Sequence, residues 1–165
     1  YYSVIVVGRD VPGRGLADFA GARLALNAAD SQSGWAAMAE EAQTAGVRFS
    51  ATRITGAHAE SARAVARGEA DVAALDANSW RLAERLMPDV ARALRVLTRT
   101  RPTPGLPLVT AKTDAVPMLQ AALMSALATP PEAHDGTLGW PRFIPMQPVD
   151  YLGLPMPPDP SALLT

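Results

Sequence analysis

Apolar runs bounded by turn residues recur along the chain, with amphipathic stretches between them. Tyr1-Tyr2-Ser3-Val4-Ile5-Val6-Val7 is β-branched and aromatic and stops at Gly8, Asp10, Pro12 and Gly13, which predicts a strand. Leu16 to Gly21 reads as one helical turn closed by glycine. Ala22-Arg23-Leu24-Ala25-Leu26 predicts a buried strand, and a helix follows from about Ser33 to Ala45 with Gly46 at its C-terminal cap. Val47 to Ile54 alternates between two faces and predicts a partly exposed strand. His58 to Arg67 predicts a helix with Ala62, Val65 and Ala66 on one face, stopped by Gly68. Asp71 to Asp76 is a second buried strand, Asn78 to Leu86 is helical and ends near Pro88, and Leu94 to Leu97 is another strand. Strands alternating with helices predict βαβ units and an α/β fold with a mainly parallel sheet.

From Arg101 the pattern changes. Pro102 to Pro107 is a stiff, extended connector, and Leu108-Val109-Thr110 predicts a further strand. Val116 to Ala128 predicts a helix with Pro117 in its first turn and a stripe at Leu119, Ala122, Leu123 and Leu127. After Pro130-Pro131 the chain is loop-rich, and Asp114 and Glu132 read as solvated surface. Phe143-Ile144-Pro145-Met146 and Tyr151-Leu152-Gly153-Leu154 are short apolar pieces that must pack on something, whereas the proline-rich end, 155–165, is expected to fray. The expected division is one lobe over 1–110, then a helix and a return segment over 111–165.

Composition narrows the function. The chain has 165 residues, 48% hydrophobic and 19% charged, enough for a packed core. A net charge of −1 leaves no basic field for nucleic acid or an anionic membrane, so an anion must be held by local geometry. There is no cysteine, and His58 and His134 lack metal-ligand spacing, so neither a metal nor a cofactor is expected. No apolar run reaches the length of a membrane span. No signal peptide is visible, and the chain opens inside a predicted strand, as expected of a fragment or of a chain whose earlier part was removed.

Candidate chemistry centres on the loop from Asn27 to Trp35. Ser31 or Ser33 can cap the following helix, and Gly34 lets the backbone approach a ligand. Unpaired N–H groups at that helix start, with two hydroxyls, form an uncharged pocket for an oxyanion, against the plainer reading of an ordinary capped helix. In open α/β sheets ligands sit beyond the carboxyl ends of strands, so Asn27–Gly34 and Asp76 can face one crevice. His58, at a predicted helix start, can donate to an oxyanion. Asp76 either accepts the O–H of a protonated oxyanion, rejecting sulfate, or caps the helix after it. Trp35 and Trp80 wall a pocket or fill the core, with the core favoured. Ser31, His58 and Asp76 invite a catalytic triad, but no G-x-S-x-G elbow surrounds Ser31, and an anion site explains all three without catalysis.

Several segments, in order, resemble one family: the substrate-binding proteins of ABC importers for phosphate, phosphite and phosphonates. Tyr1 to Val7 resembles the family's strand at the crossover between lobes, and Leu16-Ala17-Asp18-Phe19-Ala20-Gly21-Ala22-Arg23 its segment before the second strand. Ser31-Gln32-Ser33-Gly34 matches the S-x-S-G anion loop. Gly56-Ala57-His58 and the stretch from Ala64 to Asp76 resemble the next conserved blocks, and Pro104 to Val109 the return segment. The resemblance spans Tyr1 to Tyr151. It implies a three-layer lobe of a periplasmic binding protein of type 2, lacking the first part of the N-terminal lobe. It also implies ligand contacts from Ser31, Gln32, Ser33, Gly34, His58 and Asp76, and from one tyrosine at the crossover. Tyr1 and Tyr2 alternate faces, so only one can point into a cleft, and Tyr2 is taken as that residue. The implied partners are a small oxyanion and the membrane subunits of an ABC transporter, outside the cytoplasm as a periplasmic protein or exported lipoprotein. A regulator's effector lobe or a sensor kinase's ectodomain, built on the same fold, is the alternative.

Overall fold

A computed structural model of the chain describes residues 1–129, 143–154 and 156–165. The predicted loop after Pro130-Pro131, with Glu132 and His134, lies outside the described residues. The chain divides into two units, Tyr1–Thr103 with Pro155–Thr165, and Pro104–Leu154.

The first unit is built on a sheet of five strands: β1 (Ser3–Gly8), β2 (Arg23–Leu26), β3 (Ala51–Ile54), β4 (Val72–Asp76) and β5 (Leu94–Arg99), in the order β3-β2-β4-β1-β5. β2 pairs in parallel with β3 and β4, while β1 pairs antiparallel with β4 and β5. β5 therefore runs with β2, β3 and β4, and β1 alone is reversed, so the α/β sheet is mainly parallel.

Strand parity divides the core in two. Ile5, Val7, Leu24, Leu26, Val72 and Ala74 face one side, with Trp35, Met38, Ala39 and Ala42 over them. The last three of these belong to α1 (Ala37–Ala45), which ends at Gly46 with φ +66, a left-handed C-terminal cap that favours glycine. Val4, Val6, Ala25, Ala73 and Leu75 face the other side. That face is covered by α2 (His58–Ala66) and α3 (Ala77–Leu86), through Ala62, Ala64, Val65, Trp80 and Ala83. The result is helix, sheet and helix in three layers.

Three expectations for this unit are corrected. The strand predicted over Val47–Ile54 is confined to Ala51–Ile54, because only those residues lie beside β2; Phe49 instead forms a single bridge with Leu164. Pro88 does not close the helical region but opens a further short helix, α4 (Pro88–Arg92), where its fixed φ suits the first turn. The end of the chain does not fray. Leu163 is buried against the first core, the Phe49 N–H donates to the Leu163 carbonyl at 2.8 Å, and the Thr165 N–H donates to the Phe49 carbonyl at 2.9 Å. Trp35 Nε1 donates to the Pro158 carbonyl at 2.6 Å, so the fully buried indole finds its acceptor in that segment.

The second unit contains α5 (Val116–Ala126), with proline in its first turn, and α6 (Pro148–Leu152), where the Gln147 N–H donates to Asp150 Oδ2 at 2.8 Å. The strand predicted at Leu108-Val109-Thr110 does not form. Among the described residues they pair with no strand, and Leu108 and Val109 are 73% and 87% exposed.

Candidate functional site

The turn Gln32–Ala36 that leads into α1 is wider than an α-helix. The Ala36 N–H donates to the Ser31 carbonyl at 2.9 Å, and the Ala37 N–H donates to the Gln32 carbonyl, both reaching back five residues. Turns of this π type are frequent at functional sites. Ser31 is the cap: its Oγ accepts the Gly34 N–H at 3.0 Å. The amides of Gln32 and Ser33 precede the first N–H bonded back to the Ser31 carbonyl, that of Trp35.

With Ser31 as cap, the buried Ser33 hydroxyl is free for another partner. Its Oγ lies 3.0 Å from His58 Nε2, at the first turn of α2. Gly34 is what allows the approach. A Cβ there would stand 1.8 Å from Asn27 Oδ1 and 3.2 Å from His58 Cε1. Asn27, which follows β2, therefore packs its amide directly on the turn, a role the sequence pattern did not single out.

Asp76 ends β4 and caps α3, its Oδ1 accepting the Ser79 N–H at 2.8 Å. Its carboxylate also acts on Tyr1 and His58. The register places Asp76 opposite Ser3, on the face shared by Ile5 and Val7, so Tyr1, two residues before Ser3, lies on that face as well. Ser33 and Asp76 both lie near enough to act on the Tyr1 phenol. Tyr2 belongs to the opposite face, packed on the second core with the Arg99 guanidinium 5.1 Å from its ring centre. The structure thus brings Tyr1, not the expected Tyr2, beside Ser33 and Asp76.

Electrostatics follow from burial. Desolvation pushes the Tyr1 phenol above its ordinary value, opposed by the nearby Ser33 hydroxyl and helped by the Asp76 charge. Desolvation also holds His58 below the usual histidine range, against the opposing pull of Asp76 and the Ala74 carbonyl, which favours a neutral ring. Among the described residues, the buried side-chain polar atoms outside hydrogen-bonding geometry are Asn27 Oδ1, Gln32 Nε2 and His58 Nδ1, all at this cluster. Buried polar atoms are ordinarily paired, so their concentration at one place sets it apart from the rest of the fold.

The arrangement offers hydroxyl, amide, imidazole and phenol donors and one carboxylate. Among the described residues no His, Asp and Glu side chains gather closely enough to hold a metal ion. Ser33, rather than Ser31, meets His58, yet no carboxylate is bonded to His58 Nδ1 to orient the ring as a general base requires. Trp35 and Trp80 are core residues, 0% and 8% exposed.

A family model described as ABC transporter, phosphonate, periplasmic substrate-binding protein matches residues 1–151. No curated protein matches the chain in sequence. Among solved structures, the chain is similar to XAC2383 from Xanthomonas citri, bound to chloride ion, with TM-score 0.69, 25% identity and coverage of 93% of this chain and 62% of that one. PhnD1 from Prochlorococcus marinus, in complex with methylphosphonate, shares the fold at TM-score 0.56 and 22% identity, covering 62% of this chain and 42% of that one. A binding protein component of an ABC phosphonate transporter, PA3383 from Pseudomonas aeruginosa, has TM-score 0.56 and 19% identity over 85% of this chain and 50% of that one. The chain thus spans about three fifths or less of the length of these structures. Given a family match that runs through 151 of 165 residues, the chain belongs to the periplasmic substrate-binding proteins of phosphonate ABC transporters.

Proposed function

We propose that this protein captures a small phosphorus oxyanion, a phosphonate, phosphite or phosphate, in the periplasm and delivers it to the membrane subunits of an ABC importer. The observation that carries the reading is the meeting of the Ser33 hydroxyl with His58 Nε2 at 3.0 Å, at the start of the helix that Ser31 caps. The ligand's oxygens accept from the Ser31 and Ser33 hydroxyls, the Gln32 and Ser33 amides, and His58 and Tyr1. Gly34, lacking a Cβ, lets the Asn27 amide pack on the turn that presents these donors. Each such bond to an anion contributes about 1.5–3 kcal/mol.

Asp76 gives the site its selectivity. A carboxylate repels a fully deprotonated anion but accepts the O–H of a protonated one. Sulfate has no such proton near neutral pH, whereas phosphorus oxyanions, whose second ionisation falls near neutral pH, still carry one on part of their molecules. No covalent step is part of the reading, since no carboxylate is bonded to His58 Nδ1 to orient the ring as a base.

A thermal-shift panel tests this. Methylphosphonate, phosphite or phosphate at a hundredfold its dissociation constant should stabilise the protein by about 2.7 kcal/mol. Sulfate should give no shift. Stabilisation by amino acids or sugars alone would remove the phosphorus reading.

A further inference from the structure

Ser3 stands in a strand otherwise made of valine, isoleucine and glycine, and it is 1% exposed. A hydroxyl so buried needs a partner. Its backbone is already engaged on one side by Thr100: the Ser3 N–H donates to Thr100 Oγ1, and the Ser3 carbonyl accepts the Thr100 N–H, both at 2.9 Å. Thr100 is itself 4% exposed. That anchoring aims the Ser3 side chain, whose Oγ donates to the Ser33 carbonyl at 2.9 Å.

The Ser33 carbonyl has a specific need for this donor. In an α-helix it would accept the N–H four residues on, that of Ala37. Here the wide turn sends the Ala37 N–H to the Gln32 carbonyl instead. Ser3 thus supplies from the neighbouring strand a bond that the turn's own geometry diverts.

We infer that Ser3 is a positioning residue: by bonding the Ser33 carbonyl it holds the turn in its wide form and fixes the Ser33 hydroxyl against His58. Without that bond the turn gains by tightening toward an α-helix, which returns the Ala37 N–H to the Ser33 carbonyl and rotates the Ser33 side chain away from the imidazole. Tyr1 lies on the same strand face, near the Ser33 side chain, while Ser3 holds the Ser33 carbonyl. The consequence for ligand affinity rests on the oxyanion reading above; the consequence for His58 does not.

The test uses Ser3→Ala, with Ser3→Thr as the variant that retains the hydroxyl. NMR titration of the His58 imidazole is carried out in the protein without added anion, with His58→Gln to assign the signal. The Ser33 hydroxyl is bonded to the ring, so a relaxed turn in Ser3→Ala moves the midpoint away from its wild-type position. Methylphosphonate affinity, by calorimetry, falls about tenfold in the same variant. Ser3→Thr restores both. Should Ser3→Ala fail to fold, Ser3→Cys keeps the volume with a weaker donor and shifts both readings in the same direction. A His58 midpoint and an affinity equal to wild type, with only the melting temperature lowered, would assign Ser3 to packing alone and overturn the inference. Failure of the wild-type protein to bind methylphosphonate, phosphite or phosphate sinks the functional reading and leaves the His58 titration to decide the role of Ser3.

Discussion

Replacing Gly34 with alanine sets two effects against each other. Gly34 lies outside the positive-φ region, at the start of a helix, where alanine is ordinarily favoured over glycine by about 1 kcal/mol. On backbone grounds alone the variant should be more stable. The new methyl, however, would sit 1.8 Å from Asn27 Oδ1 and 2.9 Å from its Cγ, with His58 Cε1 at 3.2 Å on the other side. The first two distances are far inside contact, so the Asn27 amide must leave the turn. Overpacking of this kind costs about 1–3 kcal/mol. Set against the propensity gain, a net loss of up to about 2 kcal/mol is expected, or up to a few degrees in melting temperature for a chain of this size. Denaturant unfolding of Gly34→Ala, Asn27→Ala and the double variant measures it. The double variant should be more stable than the sum of the single losses, because removing the amide removes the clash. A single variant stabilised by the full propensity gain, about 1 kcal/mol, would refute the close packing of Asn27 on the turn.

Ser31→Ala removes a cap and should cost about 1 kcal/mol in urea unfolding; no loss would show that the Gly34 N–H finds another acceptor. His58 is held neutral, so below about pH 6.5 the unfolded chain binds more protons than the folded one, and stability should fall as pH drops through that value. His58→Gln should flatten this slope, and an unchanged slope would place its origin elsewhere. Trp35→Phe keeps the buried ring but deletes the bond to the Pro158 carbonyl, which should cost about 1–2 kcal/mol and speed amide exchange at Leu164 and Thr165. Unaltered exchange there would show that the C-terminal segment is held by Phe49 and Leu163 alone.

The strands that pair with strands were legible because each is a short apolar run between turn residues, and their alternation with helices foretold the layered sheet. Extent was less legible, since pairing requires a partner. Val47 to Ser50 alternates as a strand does, yet lies beside no strand, and Phe49 bonds instead to residues far along the chain. The docked C-terminus was hidden by its prolines, although the indole of a buried Trp35 demanded an acceptor and could have hinted at it. Parity was visible in Tyr1, Ser3, Ile5 and Val7, but not which face the Ser33 turn would cover. That depends on α1 crossing on the side of Ile5 and Val7, a tertiary choice that selected Tyr1 over Tyr2. The choice between Ser31 and Ser33 as cap depended on the wide turn, which no residue pattern announces.

Calorimetric titration of methylphosphonate into the wild-type protein and into Ser33→Ala tests the central claim most directly. The hydroxyl of Ser33 touches His58 and caps nothing, so its loss removes no helix cap, and the variant is compared with wild type under conditions where both are folded. Loss of one charge-assisted hydrogen bond should weaken binding by roughly tenfold to a hundredfold. Saturable binding to wild type, weakened to that extent in the variant and not competed by sulfate, is the expected result. Equal affinity in the two proteins, or sulfate binding as tightly as methylphosphonate, would contradict an oxyanion site built on Ser33, His58 and Asp76.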